Sequence, residues 1–121
     1  MRPTLLAAVL LISVSGCSSY ASIEKEQIAA LKELTEVLST VKDEATMKAA
    51  RGELQKRFQH FEQVAKKAKA MSRPSPEVQQ QLEDELGPEK ERAFDNLRNE
   101  VRRITAMPGG EEFLKGLGKL R

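Results

Sequence analysis

The chain has little of the chemistry on which most metal and catalytic sites depend. Its 121 residues include one cysteine, one histidine, one tyrosine and no tryptophan. One cysteine cannot form an internal disulfide, and a zinc site needs three or four ligands, which beyond the histidine only carboxylates could supply. A net charge of +2 is too close to neutral to favour nucleic acid. We therefore expect no metal, no cofactor, no nucleic-acid partner and no small-molecule substrate.

Sequence motifs of catalysis are also missing. The chain contains no glycine-rich phosphate loop after a strand and no G-x-S-x-G nucleophile motif. His60 has no acidic residue three or four positions away, and the consecutive acids 83–85 would splay around a helix rather than converge. The sequence predicts a protein that is not an enzyme.

The first seventeen residues differ in character from the rest of the chain. Arg2 precedes an almost purely apolar run of ten residues, 5–14, which small residues follow. This order is typical of a secretory signal peptide. Ten helical residues span about 15 Å, half of the roughly 30 Å hydrocarbon core. We therefore expect a signal peptide rather than a membrane span.

The end of this segment resembles the lipobox of bacterial lipoprotein precursors, in which small residues precede a cysteine. Four residues carry the resemblance, with valine where the family most often has leucine: Val14, Ser15, Gly16 and Cys17. The resemblance covers residues 1–18 and implies that the lipoprotein signal peptidase removes 1–16. It also implies a diacylglyceryl group on the sulfur of Cys17 and acylation of the new amino group.

The same resemblance implies a location. The protein would be lipid-anchored in the cell envelope, facing the periplasm or the exterior. Position 18, directly after the cysteine, is Ser18 rather than aspartate. In cells that have an outer membrane, this is similar to the signal that sends a lipoprotein to that membrane. An alternative is ordinary cleavage before Ser22, after the small-x-small sequence 19–21, which would release a soluble periplasmic protein without cysteine.

Hydrophobic spacing in the remaining chain predicts an all-α fold. Apolar residues recur every three or four positions, and no strand pattern is present. We predict a short linker over 17–22 and a small antiparallel helical bundle over 23–121. The predicted helices cover 23–41, a segment ending near Met71, a segment from 76 to 107 and a short C-terminal segment, 111–120.

Local chemistry predicts where these helices begin. Asp43 or Thr46 offers a cap for the second helix, and Ser75 followed by Pro76 suits the start of the third. Within the third helix, the dipeptide 87–88, Gly-Pro, predicts a kink or a break, because proline lacks the N–H and crowds the preceding turn.

Charge is unevenly distributed along the chain. Residues 42–73 hold nine bases and four acids, whereas 77–100 hold eight acids and three bases. This pattern predicts ion pairs between the second and third helices, with Lys66 and Lys67 opposite 82–85 and Arg57 near Glu89 and Glu91.

An anchored first helix would run away from the membrane, and the second would return to it. The end of the second helix should then lie near lipid headgroups, where each base contributes about 1 kcal/mol. We predict a membrane-surface contact through four residues: Lys66, Lys67, Lys69 and Arg73.

The C-terminal segment carries four apolar residues at helical spacing: Phe113, Leu114, Leu117 and Leu120. They either pack back onto the bundle or form an apolar face for a protein partner.

The sequence thus favours a membrane-anchored, non-catalytic interaction or structural module that binds another protein or itself. An alternative is a periplasmic chaperone or stress-binding protein, since residues 34–38 resemble the L-T-x-x-Q motif of small helical stress chaperones, with Leu38 in place of glutamine. A cell-wall link is a third alternative. The murein lipoprotein ends in the lysine that is joined to the wall, whereas this chain ends in Arg121.

Overall fold

Four α-helices form a small bundle in the computed structural model, which describes residues 19–118, with side chains described for 20–116. In chain order the helices are α1 (Ser19–Ser39), α2 (Glu44–Ala70), α3 (Pro76–Thr105) and α4 (Gly110–Gly118). The described residues include no β-strand, so the all-α prediction is confirmed. The predicted signal peptide and Cys17 lie outside the described residues.

Helix α1 is the central element. It packs along both α2 and α3, whereas no Cα atom of α2 comes within 8 Å of one in α3 among the described residues. Helix α4 crosses one end of the bundle, where it contacts α2 and α3. Helix α1 therefore packs closely along both other long helices, whereas α2 and α3 share the core through their side chains.

The apolar core consists of two clusters that meet at Leu97 of α3. The larger lies where α1 ends and α2 begins, and it includes Leu54 and Ile104, both fully buried. The smaller is built from Ile28, Leu31, Ala93 and the half-buried Phe61, Leu86 and Phe94. All three long helices contribute to both clusters, so the two clusters join them into one core.

Two helix starts were predicted correctly. Asp43 caps α2, where its carboxylate accepts the N–H of Thr46 at 2.9 Å and its own N–H donates to the Thr46 hydroxyl at 2.9 Å. Ser75 caps α3, its hydroxyl accepting the N–H of Val78 at 3.3 Å, with Pro76 in the first turn. Both caps satisfy N–H groups that have no partner within the helix.

Helix α1 begins four residues before its predicted start, at Ser19 rather than residue 23. The linker predicted over 17–22 is therefore wrong for residues 19–22, which form the first turn of the helix. The physical reason is the side chain of Tyr20, which lines a groove together with the loop between α2 and α3. Its half-buried ring extends the apolar stripe one turn beyond Ile23.

Helix α3 continues without interruption through Pro88, which excludes the predicted break. Proline removes one helical hydrogen bond, but contacts on both sides of Pro88 hold this part of α3 against α1. The Lys32 ammonium lies 2.5 Å from the Glu89 carboxylate, and Lys90 lies 3.2 Å from Glu24. Leu86 packs against the core just before the proline.

The predicted ion pairs between α2 and α3 are wrong. Charged side chains of α2 and α3 pair with α1 instead. On the α2 side, Arg57 lies 3.3 Å from Glu33 and Lys67 lies 3.8 Å from Glu26. On the α3 side the pairs are Lys32–Glu89 and Lys90–Glu24. Such surface pairs contribute about 0–1 kcal/mol each, and together they favour α1 as the middle helix.

No helix among the described residues 19–118 is both long and apolar enough to cross a membrane.

Candidate functional site at the two ends of the bundle

The basal end is formed by the start of α1, the loop 71–75 and the first two turns of α3. Tyr20 lines a shallow groove there together with Met71, Pro74, Val78 and Leu82. The end of α2 therefore returns to the start of α1, as expected for a helix that runs back toward the predicted anchor at Cys17. Ser19, the first residue of α1, is only two positions after that cysteine.

The four bases predicted to contact a membrane lie at this basal end. All of them are exposed: Lys66, Lys67, Lys69 and Arg73. Lys67 is also 3.8 Å from Glu26 of α1, so part of its charge is already balanced. The start of α3 carries exposed acids on the other side, Glu77 and residues 83–85. The basal end thus has a basic edge on α2 and an acidic edge on α3.

At the distal end, helix α4 packs back onto the bundle through its apolar residues. Phe113 is only 3% exposed and belongs to the larger core cluster, and Leu114 packs against that cluster. The Arg51 guanidinium carbon lies 5.8 Å from the centre of the Phe113 ring, within the range of a cation–π interaction. The side chain of Leu117 and all of Leu120 lie outside the described residues. Of the two predicted alternatives, packing onto the bundle or an apolar face for a partner, Phe113 therefore shows packing.

A groove of about 1180 Å³ runs between α4 and the first two turns of α2. Its floor includes Met47 and Phe113, and three exposed cations lie along it: Lys48, Arg51 and Lys115. Sequence reasoning missed this group. Lys48 and Arg51 are three residues apart on one helix face, which the sequence shows, but nothing local predicts that α4 brings Lys115 beside them.

Two carboxyl groups have a lowered pKa, and both have structural partners. The backbone N–H and the hydroxyl of Thr46 hold the pKa of Asp43 below its usual value of 3.8. A hydrogen bond and the positive charge of Lys32 lower the pKa of Glu89. Each shift favours the charged carboxylate.

The residues that carry most catalytic chemistry do not converge in the described part of the chain. His60 is exposed on α2. Within residues 19–118, no three His, Cys, Asp or Glu side chains lie close enough together to hold a metal ion. That the protein is not an enzyme stays a prediction. The arrangement offers surfaces at two opposite ends of one rigid bundle.

Comparison of the chain with known proteins identifies no relative. No protein-family model matches the chain, and no match is found among curated proteins or among solved structures.

Proposed function

We propose that the protein is a lipoprotein, anchored through an acylated Cys17, that holds a non-catalytic helical interaction module at the membrane surface of the cell envelope. The lipobox-like sequence ending at Cys17 supports the anchor. The bundle supports the module, since its described residues offer docking surfaces rather than a convergent catalytic group.

The observation that carries this proposal is the short distance along the chain between Cys17 and the folded domain. Helix α1 begins at Ser19, and two residues span at most about 7 Å. An acylated Cys17 would therefore hold the bundle directly against the bilayer rather than on a long tether. Two or three acyl chains would keep it there, because each buried methylene contributes about 0.8 kcal/mol.

The start of α1 also argues against the alternative of cleavage before Ser22. Such cleavage would remove the first turn of α1, including Tyr20, which lines the basal groove. The bundle would lose a half-buried aromatic side chain and three helical residues. The proposal with Cys17 as the mature N-terminus leaves this turn intact.

In the anchored protein, the two ends have different roles. The four bases at the basal end contact lipid phosphates. The distal end stands away from the bilayer by the length of α1, 21 residues, or about 31 Å. The outer face of α4 and its groove with α2 are there offered to a protein partner or a second copy.

The test of the anchor is labelling of growing cells with a clickable fatty acid, followed by mass spectrometry of the mature N-terminal peptide. We expect the label on Cys17, membrane retention, and loss of both in Cys17→Ser, with Ser19→Ala as the matched control. A mature chain that begins at Ser22 and carries no label would refute the proposal. Chemical cross-linking in intact cells then identifies what binds at α4.

A further inference from the structure

We propose that the basal tip of the bundle, residues 71–79, inserts into the headgroup layer of the membrane that holds the Cys17 lipid, with Val78 as the leading side chain. The basal tip comprises the loop between α2 and α3 and the first turn of α3. This inference rests on the lipid anchor proposed above and names the part of the domain that the anchor brings into the bilayer.

The relative lengths of the helices are the first argument. Helices α1 and α3 run in the same direction, since Lys90 pairs with Glu24 near the start of α1 and Arg103 bonds to the carbonyl oxygen of Leu38 near its end. The register of the Glu24–Lys90 and Val41–Arg103 contacts places Tyr20 level with residues 82–86 of α3. Pro76 precedes Leu82 by six residues, which is about 9 Å of helix. The basal tip therefore projects about 9 Å beyond the described start of α1.

The position of the anchor is the second argument. Cys17 precedes Tyr20 by three residues. That distance is about 4.5 Å if the helix continues and about 10 Å if the chain is extended. In either case the basal tip reaches to within about one helical turn of the depth of Cys17. A lipid on Cys17 holds that residue at the membrane interface, so the tip must enter the interface with it.

The chemistry of the basal tip matches this location. Val78 is 43% exposed, the highest value among the large apolar side chains of the described residues. Met71, Pro74 and Tyr20 line the same groove as Val78, and tyrosine is enriched where membrane meets water. Burying such a patch at the boundary between headgroups and acyl chains removes apolar surface from water.

Charged residues beside the patch complement the headgroup phosphates. Lys69 and Arg73 are exposed next to the apolar residues, and Glu77 is the one acid in the tip. Long basic side chains can bind phosphate while their alkyl parts lie along apolar surface. The tip and the lipid would then hold the bundle at two points, which fixes the direction in which α4 faces.

The experiment measures depth in the full-length lipidated protein, reconstituted in vesicles of phosphatidylethanolamine and phosphatidylglycerol. A fluorophore is attached at Val78→Cys, since the sulfur of Cys17 is blocked by its lipid. The matched control is Val101→Cys, at a valine of similar exposure, 36%, on the same helix and 23 residues away, or about 35 Å. Both positions are exposed, so neither label disturbs the core.

We expect nitroxide placed near the lipid headgroups to quench the label at position 78 at least threefold more than the label at 101. Equal, weak quenching at both positions in protein that floats with the vesicles would overturn the insertion and leave the anchor standing. Equal, strong quenching at both would also overturn it, because the bundle would then lie flat. Protein that carries no lipid and does not float would overturn the anchor itself.

Discussion

Arg103 of α3 closes the carboxyl end of α1 by donating a hydrogen bond from Nη2 to the carbonyl oxygen of Leu38, at 3.0 Å. Its Nη1 atom donates to the carbonyl oxygen of Val41 at 2.8 Å, and Glu100 holds the guanidinium at 2.7 Å. The last carbonyls of a helix have no donors within the helix and attract positive charge. Helix α3 thereby fastens α1 at the distal end.

Loss of the hydrogen bonds from Arg103 to the end of α1 should destabilise the bundle. We expect Arg103→Ala to lower the free energy of unfolding by about 1–3 kcal/mol, as for other hydrogen bonds from charged groups. Arg103→Lys should recover only part of the loss, because an ammonium cannot bond both carbonyls as the planar fork does. Urea unfolding followed by circular dichroism measures both changes. Arg102→Ala is the control, since the Arg102 side chain bonds to Asn99 of its own helix, and an equal loss there would contradict the role of Arg103.

The same substitution should have opposite effects at two glycines. Gly52 lies inside α2 with no atom near the position of an added Cβ, so Gly52→Ala should raise the free energy of unfolding by about 0.5–1 kcal/mol. At Gly110 an added Cβ would lie 1.7 Å from the carbonyl oxygen of Ile104. Gly110→Ala must therefore push α4 away from α3 and lower stability. Thermal melts of both variants measure this, and a stable Gly110→Ala protein would contradict the close packing of α4.

Helix α4 should behave as part of the core. Phe113→Ala removes a side chain that is 3% exposed and should cost about 3–5 kcal/mol, with Lys115→Ala as a nearly neutral control on the exposed side of the same helix. Truncation after Met107 should lower the melting temperature as well. A truncated domain that keeps its melting temperature but loses a cross-linked partner would show instead that α4 is a detachable binding arm.

Stability at acid pH should depend on Asp43. Its pKa is below the usual value of 3.8 because the Thr46 N–H, and then the Thr46 hydroxyl, bond to the carboxylate. A carboxyl whose pKa falls on folding stabilises the folded state above its unfolded pKa, and that stabilisation is lost as the pH falls through the lowered folded pKa. Melting temperatures of wild type and Asp43→Asn should therefore differ at pH 7 and converge as the pH falls through the lowered pKa of Asp43. A difference that is independent of pH would refute the assignment.

The basal bases should contribute to membrane affinity apart from the lipid. Changing the four of them to glutamine in the domain without its lipid should weaken binding to anionic vesicles, by about 1 kcal/mol for each base that reaches the surface. Lys67 should contribute least because of Glu26, 3.8 Å away. The matched control removes four distal bases instead: Lys42, Lys48, Arg51 and Lys115. Equal weakening in both variants would mean that only total charge matters.

Much of the fold could be predicted because its determinants are local. The cap at Asp43 depends on residues within three positions of it, and so does the start of α3 at Ser75. Spacing of apolar residues located all four helices, and they are where the sequence predicts them to within a few residues. The exception is the start of α1. Polar residues next to Tyr20 interrupt the apolar spacing there, so the first helical turn was not predicted.

The order of the helices across the bundle could not be predicted. Three long segments each carry one apolar stripe, so any of them could lie in the middle, and charge alone favoured the wrong pair. Contacts between distant residues decide it, such as Arg57 with Glu33 and Lys90 with Glu24. For the same reason the sequence did not predict that Lys115 would join Arg51 at the distal groove. The lipid on Cys17 stays a prediction, because that residue lies outside the described part of the chain.

The central position of α1 has a consequence for release from the membrane. Helix α1, which follows the proposed anchor at Cys17, packs along both other long helices, whereas no Cα atom of α2 lies within 8 Å of one of α3 in residues 19–118. A protease that cut within α1 would separate part of both core clusters from the rest of the domain, and we expect the remaining fragment to unfold. If Cys17 carries the proposed lipid, such a cut would not release the bundle in folded form.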